Sequence, residues 1–78
     1  MSYHPVEVHY HTDPHGRRVP EAFVWQGQRY DVLSTGRSWQ DECGEHVLVQ
    51  SAGGVYELMF DRQVLTWWLK PPVGPQMV

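Results

Sequence analysis

Apolar and polar side chains alternate along most of this chain, and short polar or glycine-rich breaks cut the alternation at regular intervals. Val6, Val8 and Tyr10 interleave with Glu7, His9 and His11. A period of two predicts a strand over residues 5–11. Thr12-Asp13-Pro14-His15-Gly16 is a turn cluster, Arg17 and Arg18 extend it, and Val19-Pro20 leads into the next strand. Pro20 has no N–H for a ladder, so it should mark a strand start or an edge.

Residues 23–32 read as a complete hairpin. With Gln26-Gly27 as a two-residue turn, Trp25 pairs with Gln28 and Phe23 with Tyr30, because glycine supplies the positive φ that such turns need. Phe23, Trp25, Tyr30 and Val32 then share a buried face. Ala22, Val24, Arg29 and Asp31 point the other way. The two strands agree on the face independently, which fixes the register.

The pattern lapses over residues 34–46. There Ser38 could cap a single helical turn, with Asp41 at the capping-box position and Gly44 ending it. Alternation resumes at Val47 and Val49, turns through Ser51-Ala52-Gly53-Gly54, and returns over residues 55–60 with Tyr56, Leu58 and Phe60 on one face. Asp61-Arg62-Gln63 makes another turn, and residues 64–70 form the last strand, with Leu65, Trp67 and Leu69 alternating against Thr66, Trp68 and Lys70. The expectation is an all-β protein: an antiparallel meander of about six strands, curled into a strongly bent sheet or partly open barrel. Residues 1–70 are read as one β domain, and the Pro- and Gly-rich residues 71–78 as a disordered tail.

Size sharpens this picture. A chain of 78 residues buries only about 60% of its unfolded surface. The single cysteine, Cys43, excludes an internal disulfide. Four tryptophans, four tyrosines and two phenylalanines are therefore the means of building a core, each ring burying about 150–250 Å². The chain opens without a basic region followed by an apolar run, and no stretch approaches the roughly 20 apolar residues of a membrane span. These features lead to the expectation of a cytoplasmic protein with no membrane partner. The net charge of −3 disfavours nucleic acid, whose non-specific binding rests on phosphate neutralisation.

Candidate chemistry is sparse. His9 and His11 share a strand face, a geometry that can chelate a divalent metal, with His4, His15 and Asp13 near in sequence. Cys43 and His46 could add ligands or form a catalytic pair, but Asp41, Glu42 and Glu45 around the thiol oppose thiolate formation. The plainer reading is a solvated histidine face, a solvated acidic run and a loop cysteine packed beneath Trp39. No motif calls for a cofactor, and no residues assemble a catalytic set, so the expectation is a non-enzymatic protein. Trp67 and Trp68 point to opposite faces of one strand. If one is core, Trp68 is left outside with Met59 and Val55. With Trp39, these form a candidate binding surface. It could be covered by the chain itself, by a protein partner or second copy, or by stacked single-stranded bases.

Pro5-Val6-Glu7-Val8, the run from Pro20 to Val32, Trp39, Tyr56-Glu57-Leu58 and Trp67-Trp68-Leu69 together resemble a small bacterial domain of unknown function. That domain carries a Phe-x-Trp-x-Gly-x-x-Tyr-x-Val hairpin and is found beside, or fused to, Y-family lesion-bypass DNA polymerases. The resemblance implies a shared fold and a DNA-repair setting, and it brings no catalytic residues. The chain differs at Gln26 and Gln28, where that family tends to be basic.

Overall fold

A computed structural model describes residues 3–72, and they form seven strands: β1 (His4–Thr12), β2 (Arg18–Trp25), β3 (Gln28–Asp31), β4 (Ser34–Gln40), β5 (Glu45–Ser51), β6 (Gly54–Asp61) and β7 (Thr66–Lys70). All neighbours are antiparallel, in the order β3-β2-β1-β7-β6-β5-β4. Strands adjacent in sequence are adjacent in the sheet, except that β1 also meets β7, and that β3 and β4 lie at opposite ends of the order.

The two end strands explain how the sheet curls. Following the antiparallel pairs across the sheet, β3 and β4 run in the same direction, and only Val32 and Leu33 separate them. They behave as one bent strand that changes partner. The Val32 amide donates to Glu21 O on β2 at 2.9 Å, and the next amide, Leu33, donates to Gln50 O on β5 at 2.8 Å. Successive amides of an extended chain point to opposite sides, so a single strand can join both ends of a curled sheet. Ser51 Oγ donates to Asp31 O at 2.7 Å, locking the same corner. The result is a half-barrel, closed at one end by the bend and open at the other between β4 and the start of β2.

The first hairpin has the expected register, Trp25 with Gln28 and Phe23 with Tyr30. Gln26 and Gly27 both take positive φ, 54° and 77°, as a type I′ turn requires. The core is the concave face: Phe23, Val49, Tyr56, Leu58, Phe60, Trp67 and Leu69, with Val6, Val8, Trp25, Tyr30, Val32 and Val47 against it. Phe23 stacks on Tyr30 (5.0 Å between centroids) and meets Tyr56 edge-on (5.1 Å). Burying Phe23 and Leu58 completely contributes about 1.5–3 kcal/mol each.

Three expectations change. Residues 34–40 are strand, not loop, and no helical turn forms at Ser38. This segment is polar on both faces because it is an edge, and its strand geometry comes from pairing with β5. The last strand begins at Thr66, two residues later than read. Leu65 has φ 58° in the turn and is exposed along with Val64. Ala22, on the outward face of its hairpin, is nonetheless buried, because its methyl sits between the longer His9 and Asp31 in the ladder. Pro20 lies inside β2, just above the end of β3, where no neighbour needs its N–H. Of the expected tail, Pro71 and Pro72 carry no regular structure, and residues 73–78 lie outside the described residues.

Candidate interaction surface

The register places a single row of side chains across the convex face. Trp39 pairs with His46, His46 with Met59, Met59 with Trp68, and Trp68 with Pro5. Three of the four nominated binding residues, Trp39, Met59 and Trp68, thus lie in one line. Val55 does not, since it pairs with Gln50 further along the same strands. Met59 is buried, Trp39 and Trp68 are half-buried, and Val55 is exposed. The Trp68 indole N–H donates to Thr66 Oγ1 at 3.1 Å.

His46 is the centre of this row, although in the sequence it stands out only as a possible ligand or partner of Cys43. Its side chain is 5% exposed. Nδ1 lies 2.7 Å from Glu57 Oε2 and Nε2 lies 2.9 Å from Asp41 Oδ1. Two carboxylates on one ring require two N–H donors, so the ring is an imidazolium. Burial alone would push its pKa down, but the hydrogen bonds the ring donates to Asp41 and Glu57 outweigh that and hold it above the ordinary value. Asp41 is held below the usual carboxylate range, first by His46 and also by the amides of Gly44 and Cys43. Those amides donate to Asp41 Oδ1 at 3.2 and 2.9 Å, so one carboxylate fastens both the β4–β5 turn and the ring. Tyr3 donates to Glu57, and burial followed by that carboxylate raises its pKa. Trp39 lies flat on His46, centroids 5.0 Å apart and planes 7° from parallel.

This arrangement is structural in its chemistry. A doubly bonded imidazolium has no lone pair with which to take a proton, so it cannot act as a general base. Cys43 is exposed in the turn and is not packed beneath Trp39, which is occupied by His46. The acidic run is not simply solvated either: Asp41 serves His46, and Glu45 pairs with Arg18 at 3.0 Å. His9 and His11 do share a face, but each is paired with its own carboxylate, His9 with Glu7 at 3.4 Å and His11 with Glu21. Among the described residues no three His, Cys, Asp or Glu side chains are placed to hold a metal.

The second feature is the open end of the half-barrel. Between β4 and the first residues of β2 lies a slot of about 460 Å³, lined by Arg17, Arg18, Pro20, Trp39, Val47 and Trp67 among others. That volume falls within the roughly 300–1,000 Å³ of ligand sites. Arg18 reaches across from β2 to Glu45 of β5, with its guanidinium 4.0 Å from the centre of the Phe60 ring. The Trp67 ring lies between Tyr10 and Phe60, and its buried indole N–H has no acceptor among the described residues. Trp39 and His46 belong to both the slot and the convex row. Residue by residue, the slot is invisible in the sequence, since it exists only where β3 stops and β4 leaves for β5.

Fold and surface together define a small curled antiparallel β domain with an aromatic edge. No protein-family model, curated protein or solved structure matches the chain. No helix among the described residues is long and apolar enough to cross a membrane.

Proposed function

We propose that this protein is a non-enzymatic interaction module that engages a protein partner through the aromatic surface around Trp39. The observation that carries the reading is Trp39 itself. It is a large, half-exposed ring held rigid on a buried imidazolium, at the rim of an open slot. Rigid aromatic anchors that need no ordering on binding are the residues on which interfaces depend most. Trp68, half-buried, lies further along the same convex face, with the buried His46 and Met59 between it and Trp39. The setting to test is lesion-bypass DNA synthesis, which comes from the hairpin resemblance. The pure protein, immobilised, should retain a Y-family polymerase, and Trp39→Ala should abolish retention while the variant still unfolds cooperatively at a modestly lower melting temperature. Equal retention by Trp39→Ala would defeat the reading.

One observation favours a second reading, stacking of single-stranded nucleic acid. The Arg37 guanidinium lies 5.2 Å from the centre of the Trp39 ring, and an arginine beside an exposed aromatic suits a base and its phosphate. This reading requires tryptophan quenching by an oligonucleotide at low salt, with a steep loss as salt rises.

A further inference from the structure

We infer that the slot takes an acidic peptide in extended conformation, added as a strand along the free edge of β4. The inference rests on the interaction reading above and specifies the partner's chemistry.

The edge comes first. β4 is hydrogen-bonded to β5 alone and ends the sheet order, so its other side presents unpaired N–H and C=O groups to the slot. Such an edge is a template for one more strand. The opposite wall, residues 18–20 of β2, is also unpaired on that side, but Pro20 lacks an N–H. β4 is therefore the better template. Its irregularity between Thr35 and Ser38 bends the edge without ending it, since pairing with β5 resumes at Ser38. Beneath the edge, Val47 and Trp67 offer an apolar floor for alternate side chains of an incoming strand.

Charge then selects the occupant. The acids beside the slot are already engaged. Asp13 accepts the amides of His15 and Arg17, both at 2.9 Å. Glu45 pairs with Arg18 at 3.0 Å and Arg62 at 3.8 Å. Arg17 lines the slot and Arg37 lies over the Trp39 ring beside it; neither forms an ion pair among the described residues. On a chain whose net charge is −3, this is a local surplus of positive charge at an open strand edge. A second copy is a poor match, because Arg37 is the only charged residue in Ser34–Gln40 and paired β4 edges would bring cations together. The chain's own residues 73–78 contain no acid. Nucleic acid supplies the charge but has no main-chain ladder to complement the edge.

The test uses the full chain, isotope-labelled, and three blocked octapeptides: alternating glutamate and valine, alternating lysine and valine, and the acidic peptide N-methylated at alternate residues. The acidic peptide should shift the amide signals of Ser34–Gln40 and slow their hydrogen exchange. The lysine and N-methylated peptides should do neither at the same concentration. The double variant Arg17→Gln, Arg37→Gln should weaken acidic-peptide binding roughly five- to tenfold, the worth of two exposed ion pairs. Equal binding of the N-methylated peptide would overturn strand addition. So would shifts confined to Trp68 and Met59, although these would leave the interaction reading standing. Oligothymidylate protecting the same β4 amides more strongly than the peptide would replace peptide with nucleic acid. A concentration-dependent dimer that protects β4 without peptide would assign the edge to a second copy. If the polymerase is retained through Trp39 and no peptide perturbs β4, strand addition alone fails. If neither binds, both readings fail.

Discussion

Gly44 shows how strictly a single position can be constrained. It is buried where the β4–β5 turn crosses β6, and a Cβ there would lie 2.0 Å from Phe60 O. Backbone cannot yield by that amount, so Gly44→Ala should cost at least about 3 kcal/mol in urea unfolding. Gly36 is the control: its nearest atoms would be 3.8 Å away, and Gly36→Ala should stay within about 1 kcal/mol. Similar losses at both sites would refute the packing argument. His46 makes a prediction in pH. Its folded pKa is raised above 6.5, so its contribution to stability is complete below 6.5 and is lost as pH rises through the higher folded value. Asp41 has the opposite sign. Its folded pKa is below 3.8, so its contribution is present above 3.8 and is lost as pH falls through the lower folded value. The urea midpoint should therefore fall between about pH 5 and about pH 9 in the natural protein and fall less in His46→Gln. A flat natural profile would mean the imidazolium adds nothing.

Turns and edges decide the behaviour of the elements. Leu65 holds φ at 58° with its side chain exposed, a conformation that costs a branched, non-glycine residue about 1–2 kcal/mol. Leu65→Asn should therefore raise the unfolding free energy by on the order of 1 kcal/mol and remove an exposed apolar group. A lower melting temperature for Leu65→Asn would indicate that the leucine has a packing role. Gln26, at φ 54°, sits in the same region, but glycine follows it and the hairpin turn is otherwise ideal. The same logic explains why β4 has no strand signature in the sequence. A strand reveals itself by one buried and one wet face, and Ser34–Gln40 is exposed throughout except at Trp39. By contrast, the hairpin of residues 23–32 is legible pair by pair, because its turn chemistry and both its strands encode the same register.

At the scale of the whole molecule, closure depends on one bent strand and the corner that holds it. Ser51 is 2% exposed, and its hydroxyl is the link from β5 to Asp31 O. Ser51→Ala leaves that carbonyl without its partner and should cost about 1–3 kcal/mol. The same change should speed hydrogen exchange at Val32 and Leu33, while the β6 amides keep their protection relative to global stability. Unchanged exchange at the corner would mean closure does not depend on this bond. The open end follows from the same design. A strand that leaves one neighbour to join another cannot hydrogen-bond to both along its length, so a slot is built in wherever β4 follows β5.

What the sequence determined by itself was local: strands where side chains alternate, turns where glycine, proline and aspartate cluster, a core made of aromatics, and the outward place of Trp68. These are read within a few residues because the period of a strand and the φ of a turn are properties of neighbours. The tertiary structure alone decided the partner switch at Val32 and Leu33, the slot, and the ionised His46 between Asp41 and Glu57, with Tyr3 joining from 54 residues away. Those depend on groups brought together by sheet curvature. Curvature arises from the packing of the whole concave face, which no stretch of the chain encodes on its own.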